Sequence, residues 1–313
     1  MAVLQRGSHA DRHNPMTTTK PKMLIIGARG FLGGHLARAS AQMFEVVRGD
    51  RVPTAQPGGV QIDLANRASV DSAFQSTKPG VAVLLAAVSD IDRCEKDQQL
   101  AYEVNVRGAL HVAGASARND CQLLFTSSGA VFDGLQHGYS EDDAASPISF
   151  YGRTKACAEK AVLDMLPSAA IVRIALAVGF AVTKGTNSML DRLAESWAAG
   201  RPVALTPFEY RNPVDPSTFC TFILELIKRR AQGVFHLGAK ESMSRYELGM
   251  KLAERMGYPG LVQRQEVPAP GRAPRSLDQY LLTKKIEATC GIPAPSCDQV
   301  IERCFDGAAE TEI

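Results

Sequence analysis

A short apolar run, Met23-Leu24-Ile25-Ile26, breaks directly into Gly27-Ala28-Arg29-Gly30-Phe31-Leu32-Gly33, and an amphipathic stretch continues from Phe31 to about residue 42. The pattern reads as strand, tight turn, helix. A glycine turn placed there brings backbone N–H groups and the positive end of the helix dipole to one point, where a pyrophosphate binds. Gly27 and Gly30 let the backbone approach the anion with no Cβ in the way, and Gly33 lets the helix pack closely. The glycines are spaced by three and three, which departs from the commoner Gly-x-Gly-x-x-Gly.

The alternation continues along the chain. The sequence predicts further strands at 44–47, 81–87, 122–125 and 170–176, and helices at 68–74, 99–118 and 151–165. The run at 81–87 is apolar without alternation, as in parallel strands covered on both faces. Repeated β-α-β units imply an α/β chain with a Rossmann-type doubly wound parallel sheet. Beyond about residue 178 the rhythm loosens into helices at 188–199, 217–230, 244–256 and 299–304, with a short strand at 234–237. This part reads as a smaller α/β substrate-binding lobe. We therefore assign 22–178, with about 213–240, to the dinucleotide-binding domain, and 179–212 and 241–313 to the lobe. Residues 1–21, polar and aperiodic, read as a disordered N-terminal extension in which His9 and His13 carry no expected role.

Composition excludes several function classes. Thirty-five Lys and Arg face 33 Asp and Glu, a net charge of +2 that gives no global basic field for nucleic acid. The longest apolar run, 81–88, is too short to span a bilayer, and the start has no apolar segment of the secretory kind. Seven scattered Cys, with no Cys-x-x-Cys pair and no His at metal-ligand spacing, point to buried reduced thiols, no metal site and a cytoplasmic protein.

Asp50 stands twenty-three residues past Gly27, where an acid that binds the adenosine ribose hydroxyls is expected. Arg48 and Arg51 flank it and Arg29 lies in the turn, and guanidinium groups there clamp a 2′-phosphate. The balance favours NADP, with NAD the second candidate. Asp63, followed by Leu64, is placed to accept from the adenine amino group; a turn or helix-cap role is its alternative.

Tyr151-Gly152-Arg153-Thr154-Lys155 opens a helix, so Tyr151 and Lys155 share one face. A neighbouring ammonium should lower the phenol pKa and make Tyr151 a usable proton donor. Upstream, Thr126-Ser127-Ser128 ends a strand at the carboxyl edge of the sheet, where ligands of open α/β sheets bind. Ser128 would orient a substrate carbonyl, or else cap the turn that follows.

Taken together, GARGFLG, IDLAN around Asp63, Asn105 in NVRGA, SSGAVF and YGRTK resemble the extended short-chain dehydrogenase/reductase family, over residues 23–155. Later segments look similar to its dTDP-4-dehydrorhamnose reductase branch: Arg173, Arg211-Asn212-Pro213-Val214, Val234-Phe235-His236-Leu237-Gly238, Ser244-Arg245-Tyr246-Glu247 and Arg272-Ala273-Pro274-Arg275. The resemblance implies a catalytic triad of Ser128, Tyr151 and Lys155, with Lys155 also binding the nicotinamide ribose. It implies cofactor contacts from Phe31, Leu32, Ala86, Ala87 and Val88, with Ser89 beside them on the substrate side. Asn105 would fix the central helix, and the Tyr151 helix would offer a homodimer face.

The implied activity is NAD(P)H-dependent reduction of a keto group on a nucleotide-activated deoxysugar. Between residues 251 and 289 seven cations face four acids. Arg211 and Arg275, in Pro-flanked loops, are the candidates for the diphosphate. His236 and Trp197 read as core residues. The chain also departs from the branch. Ser128-Gly129-Ala130 replaces Thr-Asp-Tyr, Leu84 and Val88 replace an Asn and a His, and Ile174-Ala175-Leu176-Ala177 lacks the expected aromatic after Arg173. Gly129 and Ala130 offer no proton-transfer group, which argues against dehydration. A nucleotide-sugar 4-epimerase, a non-sugar ketoreductase and a non-catalytic regulatory subunit like that of methionine adenosyltransferase remain as alternatives.

Overall fold

A computed structural model describes residues 20–52, 58–183, 185–267 and 271–306. His9 and His13 lie outside the described residues. The chain opens with β1 (Lys22–Ile26), α1 (Phe31–Ser40), β2 (Glu45–Asp50), β3 (Gly59–Gln61), α2 (Arg67–Thr77) and β4 (Val81–Leu84). Next come α3 (Ile91–Lys96), α4 (Gln98–Tyr102), one π turn (Glu103–Arg107) and α5 (Gly108–Arg118), then β5 (Gln122–Ser128), α6 (Phe150–Met165) and β6 (Ala170–Ile174). The remainder comprises β7 (Leu176–Ala177), α7 (Met189–Ala198), β8 (Val203–Leu205), β9 (Tyr210–Arg211), β10 (Pro213–Val214), α8 (Pro216–Lys228) and β11 (Gly233–Leu237). It closes with β12 (Met243–Ser244), α9 (Arg245–Arg255), β13 (Val262–Arg264), β14 (Asp278–Gln279), α10 (Lys284–Cys290) and α11 (Cys297–Arg303).

Seven parallel strands form the main sheet in the order β3-β2-β1-β4-β5-β6-β11. The order reverses at β1, which pairs with β2 on one side and β4 on the other; a crevice opens at the carboxyl end of such a switch point. Successive strand side chains point to opposite faces, so Met23 and Ile25 enter one core with Leu36, Phe219 and Phe222. Leu24 and Ile26 enter the other, with Phe74, Val112 and Val162. Both faces being covered explains the unbroken apolar runs. A third core is built around Leu190, Trp197, Leu252 and Val300, and Val178 and Ala239 also enter it. Trp197 is buried there and donates its indole N–H to the Leu261 carbonyl at 3.0 Å. Within the segment assigned to the lobe, α10 returns to the sheet, burying Ile286 and Cys290 against the α1 and α8 layer.

Several element bounds differ from expectation. The second strand continues to Asp50, whereas β4 stops at Leu84, because the N–H groups of Leu85 and Ala86 both turn to the Ile26 carbonyl, at 2.9 and 3.0 Å. The helix predicted at 99–118 contains a π turn centred on Asn105. All seven cysteines are free thiols and six are buried as expected, but Cys157 on α6 is exposed. Among the described residues no helix is long and apolar enough to cross a membrane.

Below the carboxyl edge of the sheet lies a buried polar chain. The β6–β11 register sets Arg173 beside His236. Arg173 donates from Nε and Nη2 to Glu159 on α6, the shortest contact being 2.7 Å, and from Nη1 to His236 Nε2 at 3.2 Å. Arginine has no acceptor, so His236 Nε2 must accept and its Nδ1–H donates to the Tyr139 carbonyl at 3.1 Å. The ring is thereby held neutral: burial, then the Arg173 charge, push its pKa down to about 3. Between about pH 3 and 6.5 the unfolded chain binds one more proton here than the folded one, so stability falls as pH falls through that window. Urea unfolding at pH 7.5 and 5.0 should show the native chain losing roughly 2 kcal/mol more than His236→Gln. Equal losses would remove His236 as the cause.

Candidate functional site

The glycine turn has the geometry its spacing predicts. Gly27 adopts φ +93°, a conformation that favours glycine, and a Cβ on it would lie 2.8 Å from the Ala86 nitrogen. A Cβ on Gly33 would lie 2.1 Å from the Gly27 carbonyl oxygen, so α1 starts hard against the turn. Gly30 is the N-cap of α1 and, as a glycine, brings no side chain to its first N–H groups. Phe31 and Leu32 form its first turn, half-buried.

Asp50 stands at the carboxyl end of β2. Its Oδ1 accepts from the Arg29 N–H at 3.1 Å, while Oδ2 is buried without a hydrogen-bond partner among the described residues. Burial raises its pKa; the Arg29 N–H, then Arg29 and Arg48 as charges, oppose that. An orphaned carboxylate oxygen beside a cradle that a Cβ would fill is the donor and acceptor set that an adenine dinucleotide needs, and the residues present fit one. Arg29 is exposed at the turn. Asp63 accepts from the Ala65 N–H at 3.1 Å in a turn of its own, and the buried Leu64 offers its carbonyl to His111.

Past β4, Ala86, Ala87 and Val88 form the far wall of the crevice, all half-buried. Asn105 pins them. Its Oδ1 accepts from the Val88 N–H at 2.8 Å, and its Nδ2 donates to the Val88 carbonyl at 3.0 Å and to Thr154 Oγ1 at 3.1 Å. The π turn aims this amide: one extra residue in the helix rotates Asn105 into the gap between the loop and α6.

On α6 the Ser149 side chain caps the helix start, and Tyr151 and Lys155 follow on one face. The Ser128 hydroxyl hydrogen-bonds the Tyr151 phenol and also accepts from the Ala130 N–H at 3.1 Å, so it is at once a cap and a neighbour of the phenol. The expected lowering of the Tyr151 pKa by Lys155 is not what the geometry gives. Burial pushes the phenol up to about 12, with Ser128 opposing. Lys155 sends its ammonium instead to the Thr126 carbonyl at 2.6 Å, 4.1 Å from the centre of the Phe125 ring. Burial brings Lys155 down to about 7, with the Glu159 carboxylate one turn further on pulling the other way.

The lobe supplies cations, though not in the way expected. Arg211 is buried and spends its N–H groups on the carbonyls of Tyr210, Leu277 and Ser276. Arg275 makes a two-point ion pair with Asp92 on α3, at 2.8 and 3.1 Å, and this holds the Asp92 carboxyl down at about 2. Both are structural clamps in this arrangement, the second linking the lobe to the sheet. Glu209, also buried, is shared by three guanidinium groups: Arg211 at 3.6 Å, Arg272 at 3.7 Å and Arg245 at 4.0 Å. One carboxylate cannot neutralise three cations, and Arg192 adds to the charge felt at Arg245. Arg192 also holds Asn187, which donates to the exposed Ser89 at 3.3 Å. Arg192, Arg245 and Arg272 therefore form the cationic wall. Of the three, only Arg272 falls among the seven cations of residues 251–289; the Ser244 capping box that starts α9 is the sequence signal for Arg245.

The sequence profile of the RmlD substrate binding domain matches residues 21–309. The chain belongs to that family. Methionine adenosyltransferase 2 subunit beta of Xenopus laevis is 27% identical over 278 residues, covering 87% of this chain and 83% of its own length. A dTDP-4-dehydrorhamnose reductase of Aggregatibacter actinomycetemcomitans is 34% identical over 176 residues, 56% of this chain and 58% of that one. In fold, the chain matches a crystal structure of dTDP-4-dehydrorhamnose reductase from Bacillus anthracis str. Ames in complex with NADP. The TM-score is 0.84 at 24% identity, over 94% of this chain and 100% of that one. The RmlD-type match spans sheet and lobe together, so the cationic wall and the Tyr151 edge lie within one family unit.

Proposed function

We propose that this protein is an NAD(P)H-dependent reductase of a keto group on a nucleotide-activated deoxysugar. One observation carries the reading. A tyrosine hydrogen-bonded to Ser128 shares a helix face with Lys155, at the sheet edge beside a glycine turn shaped for a dinucleotide. Gly27 and Gly30 would hold the pyrophosphate, Asp50 the adenosine ribose, Arg29 and Arg48 a 2′-phosphate, and Lys155 the nicotinamide ribose. When bound, the reduced dinucleotide supplies the hydride. Ser128 donates a hydrogen bond to the substrate carbonyl oxygen and stabilises the charge that develops there. Tyr151, raised to about 12, keeps its proton at neutral pH and gives it to the same oxygen. Arg192, Arg245 and Arg272 suit the two phosphates of a nucleoside diphosphate.

A thermal-shift panel with NAD, NADP, dTDP, UDP and GDP, followed by NADPH oxidation with nucleotide-linked keto sugars, tests this. A ligand at a hundred times its Kd raises stability by about 2.7 kcal/mol. NADP and one nucleoside diphosphate should each raise the melting temperature, and a matching keto sugar should oxidise NADPH. The methionine adenosyltransferase relatives favour a second reading, a cofactor-binding regulatory subunit. It predicts NADP binding, no oxidation by any nucleotide-sugar, and copurification with a larger partner.

A further inference from the structure

Two of the positions at which the sequence departs from the reductase branch, Gly129 and Ala175, lie side by side, and Gln279 stands against the first of them. A Cβ on Gly129, directly after Ser128, would lie 3.2 Å from both Cβ and Oε1 of Gln279 and 3.4 Å from the Ala175 Cα. Gly129 stands where the branch has an acid, and Ala175 lies in the stretch that lacks its aromatic. The space a side chain on Gly129 would enter is bordered by Gln279, which reaches in from β14.

Gln279 is held in place from several sides. Arg211 donates to the Ser276 and Leu277 carbonyls, and Ser276 Oγ donates to the Phe132 carbonyl at 2.6 Å. A Cβ on Gly134 would lie 2.7 Å from the Leu277 nitrogen. The segment 276–279 is thus stapled to 129–134. Side chains alternate along β14, so Asp278 turns away to His137, at 2.7 Å, while Gln279 turns toward the strand that ends in Ser128. Gln279 is 4% exposed as a whole residue, yet its amide atoms are not among the fully buried ones that lack a partner. An amide fixed in a nearly closed place with its polar atoms still reaching the surface can exchange that hydration for a ligand.

We propose that Gln279 is a specificity-determining residue that binds the substrate beside the reacting carbon. The proposal rests on the reductase reading of the same site. An amide both donates and accepts, whereas a carboxylate only accepts. It matches a hydroxyl on the carbon next to the keto group, so the substrate class is an α-hydroxy ketone of a nucleotide-linked sugar, with a neutral polar substituent facing Gln279.

Calorimetric titrations of the full chain saturated with NADP test this, using dTDP against dTDP-glucose and UDP against UDP-glucose. One sugar nucleotide should bind more tightly than its free diphosphate. Gln279→Leu and the isosteric Gln279→Glu should each lose about three- to tenfold in affinity for that sugar nucleotide, with the Kd of the free diphosphate unchanged. Gly129→Ala, whose methyl would push Gln279 aside, should lose a similar amount. Undiminished affinity in Gln279→Leu and Gln279→Glu overturns the proposal, as does the absence of any gain from the sugar in the native chain. NADPH oxidation is scored separately. No turnover with the affinity pattern intact overturns the reductase reading while supporting Gln279 as a ligand residue.

Discussion

The Tyr151→Phe variant should bind NADPH with native affinity and turn over slower by about a hundred- to ten-thousandfold. The phenol oxygen is the only atom removed. Its partner, the Ser128 hydroxyl, retains the Ala130 N–H at 3.1 Å and keeps its place at the end of β5. The cradle at Gly27 and the orphaned Asp50 oxygen lie on other elements, so cofactor binding is insulated from the change. What disappears is the proton donor, since Lys155 is committed to the Thr126 carbonyl. Fluorescence titration with NADPH together with steady-state rates on a nucleotide-linked keto sugar makes the comparison. A variant that turns over like the native chain would move the proton donor elsewhere and sink the mechanism.

The parts of this site that were legible in the sequence are those fixed by local chemistry. A glycine turn after an apolar strand has few alternatives, so Gly27 and Gly33 could be placed from spacing, and the observed φ of +93° at Gly27 has the physical cause that spacing implied. Tyr151 and Lys155 share a face because any helix at that point puts them there. Interactions that depend on distant partners were not legible. Lys155 was expected to tune Tyr151, but whether an ammonium meets a phenol or the Thr126 carbonyl depends on how α6 seats on β5. Arg211 and Arg272 are the same residue type in similar loops. Both stand beside Glu209, and only the three-dimensional arrangement also commits the first to the carbonyls of Tyr210, Ser276 and Leu277. The π turn at Asn105 arises from its contacts with Val88 and Thr154, which no helical period announces. The lobe's two-residue strands β9, β12 and β14 are too short to show an alternation, and so Gln279 carried no signal at all.

Arg173→Met should destabilise the fold by about 3–5 kcal/mol, because it removes the partner of a charge that cannot reach water. Glu159 is 4% exposed and its carboxylate is satisfied chiefly by Arg173, through Nε and Nη2. Methionine fills a similar volume, so the loss is electrostatic rather than a cavity. His236 would lose its Nη1 donor in the same step. The double variant Arg173→Met/Glu159→Leu should recover most of the stability, since burying two apolar side chains avoids the desolvation that the ion pair needs. Urea unfolding of the two single variants and the double variant gives the coupling directly. Additive losses would mean that Arg173 acts through packing on the Phe132 ring, 5.0 Å from its guanidinium, and not through Glu159. The pair also bears on catalysis. Tyr151, Lys155 and Glu159 succeed one another at intervals of four on α6, and Glu159 is the charge that opposes the desolvation of Lys155. With Arg173 gone, Lys155 is the cation one turn away that remains to balance Glu159, and the lysine should hold its proton to higher pH. The pH above which reduction by Arg173→Met declines should therefore move upward, an effect that a loss of packing alone cannot produce.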